Sequence, residues 1–77
     1  MRIVFLGRLA DRFGQERRVD LSANLTVADA IEALEDDDVG LLRAPGISYV
    51  LDHHVVGLDM ILGDAKELAF LPPVSGG

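Results

Sequence analysis

Few residues in this chain could do chemistry. The titratable pair is His53-His54, with Asp52 beside it and Asp59 nearby. Adjacent histidines face opposite sides of a strand or splay apart in a turn, whereas a metal site wants several donors converging on one point. Two surface histidines in a turn are therefore expected. The acidic run from Glu32 to Asp38 lacks the spaced ligands and central glycine of a calcium loop, and reads as a solvated edge or a rim for a basic partner. Ser22, Ser48 and Ser75 have no histidine and carboxylate at a triad spacing, and no glycine-rich phosphate loop is present. With no cysteine there is no thiolate metal site, disulfide or thiol nucleophile.

What remains is the end, Leu71-Pro72-Pro73-Val74-Ser75-Gly76-Gly77. The prolines stiffen the exit and project an extended segment. At about 3.1 Å per residue, 72–77 reaches roughly 15–20 Å. Gly76 and Gly77 carry no side chain, so they pass a channel too narrow for a Cβ. Read as the terminus, Gly77 delivers its α-carboxylate. That group is a poor electrophile until adenylation turns it into a mixed anhydride, which a sulfur nucleophile can then attack. The expected organisation is a domain over 1–71 and an extended tail over 72–77.

The elements must hold that tail on a small base. Seventy-seven residues form one domain, and a chain this short buries only about 60% of its unfolded surface. A deep active site of its own is not expected. Apolar residues make up 49% and the net charge is -6, which suits a globular domain and opposes nucleic acid or anionic membranes. No apolar run approaches the roughly 18 residues of a membrane span. Ile3–Leu6 is too short for a signal-peptide core, so a cytoplasmic address is expected.

Arg2–Gly7 reads as the first strand, Leu9–Gln15 as a polar loop and Arg17–Leu21 as a second strand. Thr26 is a good N-cap with Asp29 three residues on. Val27, Ala30, Ile31 and Leu34 form one apolar stripe. The predicted helix ends near Glu35, because carboxylates are unfavourable at a helix C-terminus. Leu41 and Leu42 are expected under the following acidic loop. Pro45-Gly46 marks a turn, Ile47–Leu51 a third strand, Asp52-His53-His54 its tight connection and Val55-Val56 a fourth strand. Gly57–Ala65 connects onward with Met60, Ile61 and Leu62 as buried anchors. Glu67–Leu71 is the fifth strand, ended by proline. One main helix on a mixed sheet of about five strands is an α+β domain of β-grasp, ubiquitin-like type.

A single helix covers one face of such a sheet. Ile3 and Phe5 share a face, and Val4 and Leu6 the other; Leu68 and Phe70 likewise alternate with Ala69 and Leu71. The uncovered face then exposes an apolar patch of the kind that marks partner surfaces.

The ending Phe70-Leu71-Pro72-Pro73-Val74-Ser75-Gly76-Gly77 resembles that of the MoaD family, the sulfur-carrier small subunits of molybdopterin synthase. Ile3-Val4-Phe5-Leu6 with Gly7-Arg8-Leu9 and Phe13-Gly14, Leu25-Thr26-Val27-Ala28-Asp29, and Glu67–Phe70 extend the likeness over nearly the whole chain. A bare Gly-Gly end is shared by all ubiquitin-like proteins; the full ending is more specific. Three positions depart from the pattern: Asp52 replaces a usual asparagine, Ala65 a glycine of the last turn, and Ala10 an arginine, with Arg8 and Arg12 near.

The resemblance implies that a ubiquitin-activating-like adenylyltransferase adenylates Gly77 with Mg-ATP. A persulfide donor then makes the thiocarboxylate. The carrier would dock on the molybdopterin synthase large subunit through Leu6, Val55 and Leu71, and the tail Pro72-Pro73-Val74-Ser75-Gly76 would enter that subunit's active site. Sulfur goes to cyclic pyranopterin monophosphate. Two carriers supply two sulfurs, as a heterotetramer would arrange them. The carrier would bind no cofactor or metal, and the acid–base residues would lie on the large subunit. Other readings are a sulfur carrier for another pathway, a protein modifier joined through Gly77, and an interaction domain with an inert tail. Lys66, the only lysine, leaves few sites for self-conjugation.

Overall fold

The computed structural model describes residues 1–73. Five strands make one mixed sheet: β1 (Arg2–Phe5), β2 (Glu16–Arg18), β3 (Ser48–Leu51), β4 (His54–Val56) and β5 (Glu67–Leu71), in the spatial order β2-β1-β5-β3-β4. β1 and β5 pair in parallel at the centre and the other pairs are antiparallel. The helices are α1 (Arg8–Phe13) and α2 (Val27–Ala33), with a 3₁₀ turn at Val39–Arg43. This is the β-grasp, ubiquitin-like architecture.

Strand alternation sets the core. Ile3 and Phe5 of β1 and Leu68 and Phe70 of β5 are fully buried. Beneath them lie Val27, Ala30, Ile31 and Leu34, the predicted stripe of α2. An aromatic row crosses the sheet: Phe13 stacks on Phe5 at 5.1 Å, Phe5 on Phe70 at 5.5 Å, and Tyr49 meets Phe70 edge-on at 5.7 Å. Offset stacks and edge contacts suit the ring quadrupoles.

Several elements differ from expectation. The predicted loop after β1 contains α1, whose Leu9 and Phe13 are buried. A six-residue helix is marginal alone and is held by packing. β1 stops at Phe5, two residues short of the predicted end, because Gly7 turns left-handed at φ 56 to start α1. β2 begins one residue earlier than predicted and ends at Arg18, although Val19 and Met1 continue the pairing with bonds of 2.8 and 3.0 Å. Only Leu42 of the Leu41-Leu42 pair is buried.

In the Gly57–Ala65 connection Leu62 is the sole buried anchor of the three expected; Met60 and Ile61 are exposed. Their backbone explains their place: Ile61 forms an isolated antiparallel bridge with Thr26. Met60 and Leu58 carbonyls accept the Val27 and Ala28 N–H groups at 3.0 and 2.9 Å, so the connection satisfies first-turn donors that no helix can satisfy itself. The acidic run is not simply solvated. Arg12 pairs with Asp36 and Asp38, and Arg17 reaches Asp36 at 3.3 Å. The Arg17 guanidinium also lies 5.7 Å over the Phe5 ring. The run thus ties its loop to α1 and β2. Among the described residues, no helix is long and apolar enough to cross a membrane.

Candidate functional site

The sheet face opposite α2 is sorted by polarity along the strands. Across its middle run Glu16, Val4, Ala69, Val50 and Val55, each in register with the next. One row toward the exit stand Leu6 and Leu71, the latter opposite Ser48. Leu6 is 42% and Val55 78% exposed, whereas Leu71 is half-buried. The predicted contact residues Leu6, Val55 and Leu71 thus share the open face with Val4, as strand alternation expected, and with Val50, which the sequence reading did not place there.

The opposite end of this face is polar. Arg2 stands between Arg18 and Glu67, and its Nε donates to Glu67 Oε1 at 3.0 Å. That bond and the Glu67 charge push the Arg2 pKa up. At the β3–β4 turn Asp52 and His53 have φ of 44 and 72, the left-handed pair of a tight two-residue hairpin. The Asp52 carboxylate accepts from the Lys66 and Glu67 N–H groups, each at 3.0 Å through Oδ1. The replacement for the usual asparagine therefore fastens the turn to the start of β5. His53 and His54 are exposed, and His54 Nδ1 lies 3.0 Å from the Asp52 carbonyl oxygen. Among the described residues, no three His, Asp or Glu side chains gather to hold a metal. The last turn forms without glycine at 65: Gly63 supplies the left-handed residue at φ 56, and Ala65 packs against the core.

β5 delivers the chain from the sheet at Leu71. Pro72 is half-buried and Pro73 exposed. Neither has an N–H, so the ladder stops here. Both prolines flank an apolar cleft of about 300 Å³ that also involves Leu41 and Ile47, with Arg8 and Arg12 on its lining. Val74, Ser75, Gly76 and Gly77 lie outside the described residues. Among the described residues, the exit is lined by apolar side chains with Arg8 and Arg12, so β5 leaves the sheet beside an apolar surface.

The model of the ThiS family matches residues 3–77. Among solved structures, the SAMP1 protein of Haloferax volcanii superposes with a TM-score of 0.81 at 28% identity, over 99% of this chain and 97% of that one. A Pyrococcus furiosus protein described as molybdopterin converting factor, subunit 1, has the same fold with a TM-score of 0.73 at 19% identity, over 95% of each chain. Small archaeal modifier protein 1 of Methanosarcina acetivorans also shares the fold, with a TM-score of 0.71 at 24% identity over 99% of this chain and 94% of that one. No curated protein matches the sequence.

Proposed function

The chain belongs to the ThiS family of ubiquitin-like sulfur carriers, and from that membership we propose that it carries sulfur on Gly77 as the small subunit of molybdopterin synthase. The observation that supports this most is the exit. β5 ends at Leu71 at the apolar end of the open face, and Pro72-Pro73 leave the sheet there, so a partner seated on Leu6, Val55 and Leu71 would meet the start of the tail.

The chemistry proceeds in successive steps on partners. The Gly77 carboxylate oxygen attacks the α-phosphorus of Mg-ATP held by the adenylyltransferase, and pyrophosphate leaves. A persulfide sulfur then takes the acyl carbon and AMP leaves; cleavage of the sulfur–sulfur bond by a reducing thiol frees the thiocarboxylate. That group is ionised near neutral pH and nucleophilic for the same reason as a thiolate. Docked on the large subunit, it passes sulfur to cyclic pyranopterin monophosphate, and two carriers in a heterotetramer supply both sulfurs. The carrier binds no cofactor. The reading places it in the cytoplasm, with Mg-ATP and the sulfur donor.

A second reading rests on the 28% identity to SAMP1. A protein modifier would use the same acyl adenylate: a lysine amine takes the acyl carbon and AMP leaves. Intact mass after copurification with the large subunit separates the two. The sulfur-carrier reading expects sulfur in place of one oxygen, and loss of that species when residues are appended after Gly77. Normal pterin sulfuration by a C-terminally extended, unprocessed chain would refute it. Other proteins' lysines carrying the Glu67–Gly77 segment, the remnant left by tryptic cleavage after Lys66, with no sulfur on Gly77, would favour the modifier.

A further inference from the structure

The two prolines leave the sheet between two glycines. Continuing the parallel β1–β5 register past Phe5 and Phe70 sets Gly7 beside Pro72. Continuing the antiparallel β3–β5 register past Ser48 and Leu71 sets Gly46 beside Pro73. A Cβ on Gly7 would stand 3.0 Å from Pro72 Cγ. A Cβ on Gly46 would stand 2.7 Å from Pro73 Cβ and 3.2 Å from its Cγ. Pro73 Cβ is bonded directly to the main chain and cannot rotate aside as a flexible side chain does, so relief at Gly46 would have to come from moving the main chain of one partner. At Gly7 the contact is with Pro72 Cγ, which a change of ring pucker can ease by a few tenths of an ångström. Gly46 is itself fixed by the Pro45-Gly46 turn, closed by Ile47 N–H to Ala44 O at 3.2 Å.

We propose that Gly7 and Gly46 are positioning residues: with Pro72 and Pro73 they form a clamp that sets the direction in which the tail leaves the sheet. The proposal deepens the sulfur-carrier reading, and its kinetic arm rests on that reading. A partner that holds the open face fixes the sheet, not the chain end. The clamp then determines where Gly77, four residues beyond Pro73, meets the reacting centre. A side chain at either glycine would leave docking intact and misplace the terminus.

Both glycines have positive φ, so alanine there strains the backbone whatever its neighbours. The chain contains controls matched in φ. Gly14 has φ 90 against 91 for Gly46, and Gly63 has φ 56, as does Gly7; a Cβ added to Gly14 or Gly63 would meet nothing within 4 Å. Gly46→Ala is therefore compared with Gly14→Ala, and Gly7→Ala with Gly63→Ala, in the full chain and with stability checked by denaturation. Thiocarboxylated protein is assayed with the large subunit. A misplacement near 1 Å costs about 10²-fold in rate, so kcat should fall by that order in Gly46→Ala with KM little changed, while Gly14→Ala keeps the wild-type kcat. Pro73→Gly removes the ring atoms that face Gly46, and in that background Gly46→Ala should cost nothing further, a coupling that a double-mutant cycle reads.

A second arm needs no activity. The chain has no cysteine, so a spin label on Gly77→Cys is unique, and its broadening of the domain's amide signals maps the tail. That map should shift with Gly46→Ala and not with Gly14→Ala. If wild-type protein never acquires sulfur, the sulfur-carrier reading falls and the label map alone decides the clamp. An unchanged map, or equal kcat in Gly46→Ala and Gly14→Ala, overturns the proposal.

Discussion

Tyr49 shows what one buried polar group needs. It is the only tyrosine of a chain without tryptophan. Its hydroxyl donates to the Leu42 carbonyl at 2.6 Å, tying β3 to the 3₁₀ turn. Burial pushes the phenol's pKa up from its ordinary value, and the nearby Arg43 charge pulls it partly back. Ionisation would bury a negative charge and remove the donor. Because the folded value is the higher one, the stability from this bond is whole below the unfolded pKa of about 10 and is lost as pH rises through the folded value. Alkaline titration followed by phenolate absorbance, which no tryptophan obscures, should give a midpoint above that of free tyrosine, with far-ultraviolet dichroism lost alongside. Ionisation at the free value with the fold retained would show Tyr49 to be solvent-accessible.

At the scale of elements, α2 depends on its cap. Thr26 Oγ1 accepts the Asp29 N–H at 3.1 Å and Asp29 Oδ2 accepts the Thr26 N–H at 2.9 Å. The box closes with the shorter Asp in place of Glu. Thr26→Ala should cost about 1 kcal/mol, seen as a lower urea midpoint at unchanged slope; an unchanged midpoint would mean that the Met60 and Leu58 carbonyls alone hold the first turn. This helix was legible because four apolar positions repeat at helical spacing, and β5 because proline marks its end. α1 was not, since Leu9 and Phe13 give one repeat only, and a helix of six residues is decided by what it packs against. Met60 and Ile61 misled because apolar type says nothing about a backbone role. At the exit, the prolines were plain in the sequence, whereas Gly7 and Gly46 acquire their place only through strand register, a tertiary fact. Residues 74–77 lie outside the described residues, so their expected roles rest on sequence.

For the molecule as a whole, stability falls to one face of the sheet and, on the proposed reading, recognition to the other. Phe70 points to the core, where it stacks on Phe5 and meets Tyr49; Leu71, its neighbour, lies half-buried on the open face. Truncating a core phenylalanine typically loses about 3–5 kcal/mol. Leu71→Ala should lose clearly less, because part of its surface is already in water. Apolar anchors near an interface centre often carry about 1–2 kcal/mol or more each, and about 1.4 kcal/mol is a factor of ten in Kd. Leu71→Ala should therefore weaken binding to the large subunit roughly tenfold or more. Val55→Ala is the sharper control: at 78% exposure it has little folded-state contact to lose, so any loss of affinity there belongs to the interface. Denaturation midpoints and titrations of Phe70→Ala, Leu71→Ala and Val55→Ala test the division together. If Leu71→Ala unfolds as readily as Phe70→Ala while both open-face variants bind the large subunit unchanged, the open face is not the docking surface, and the tail must be delivered from another side.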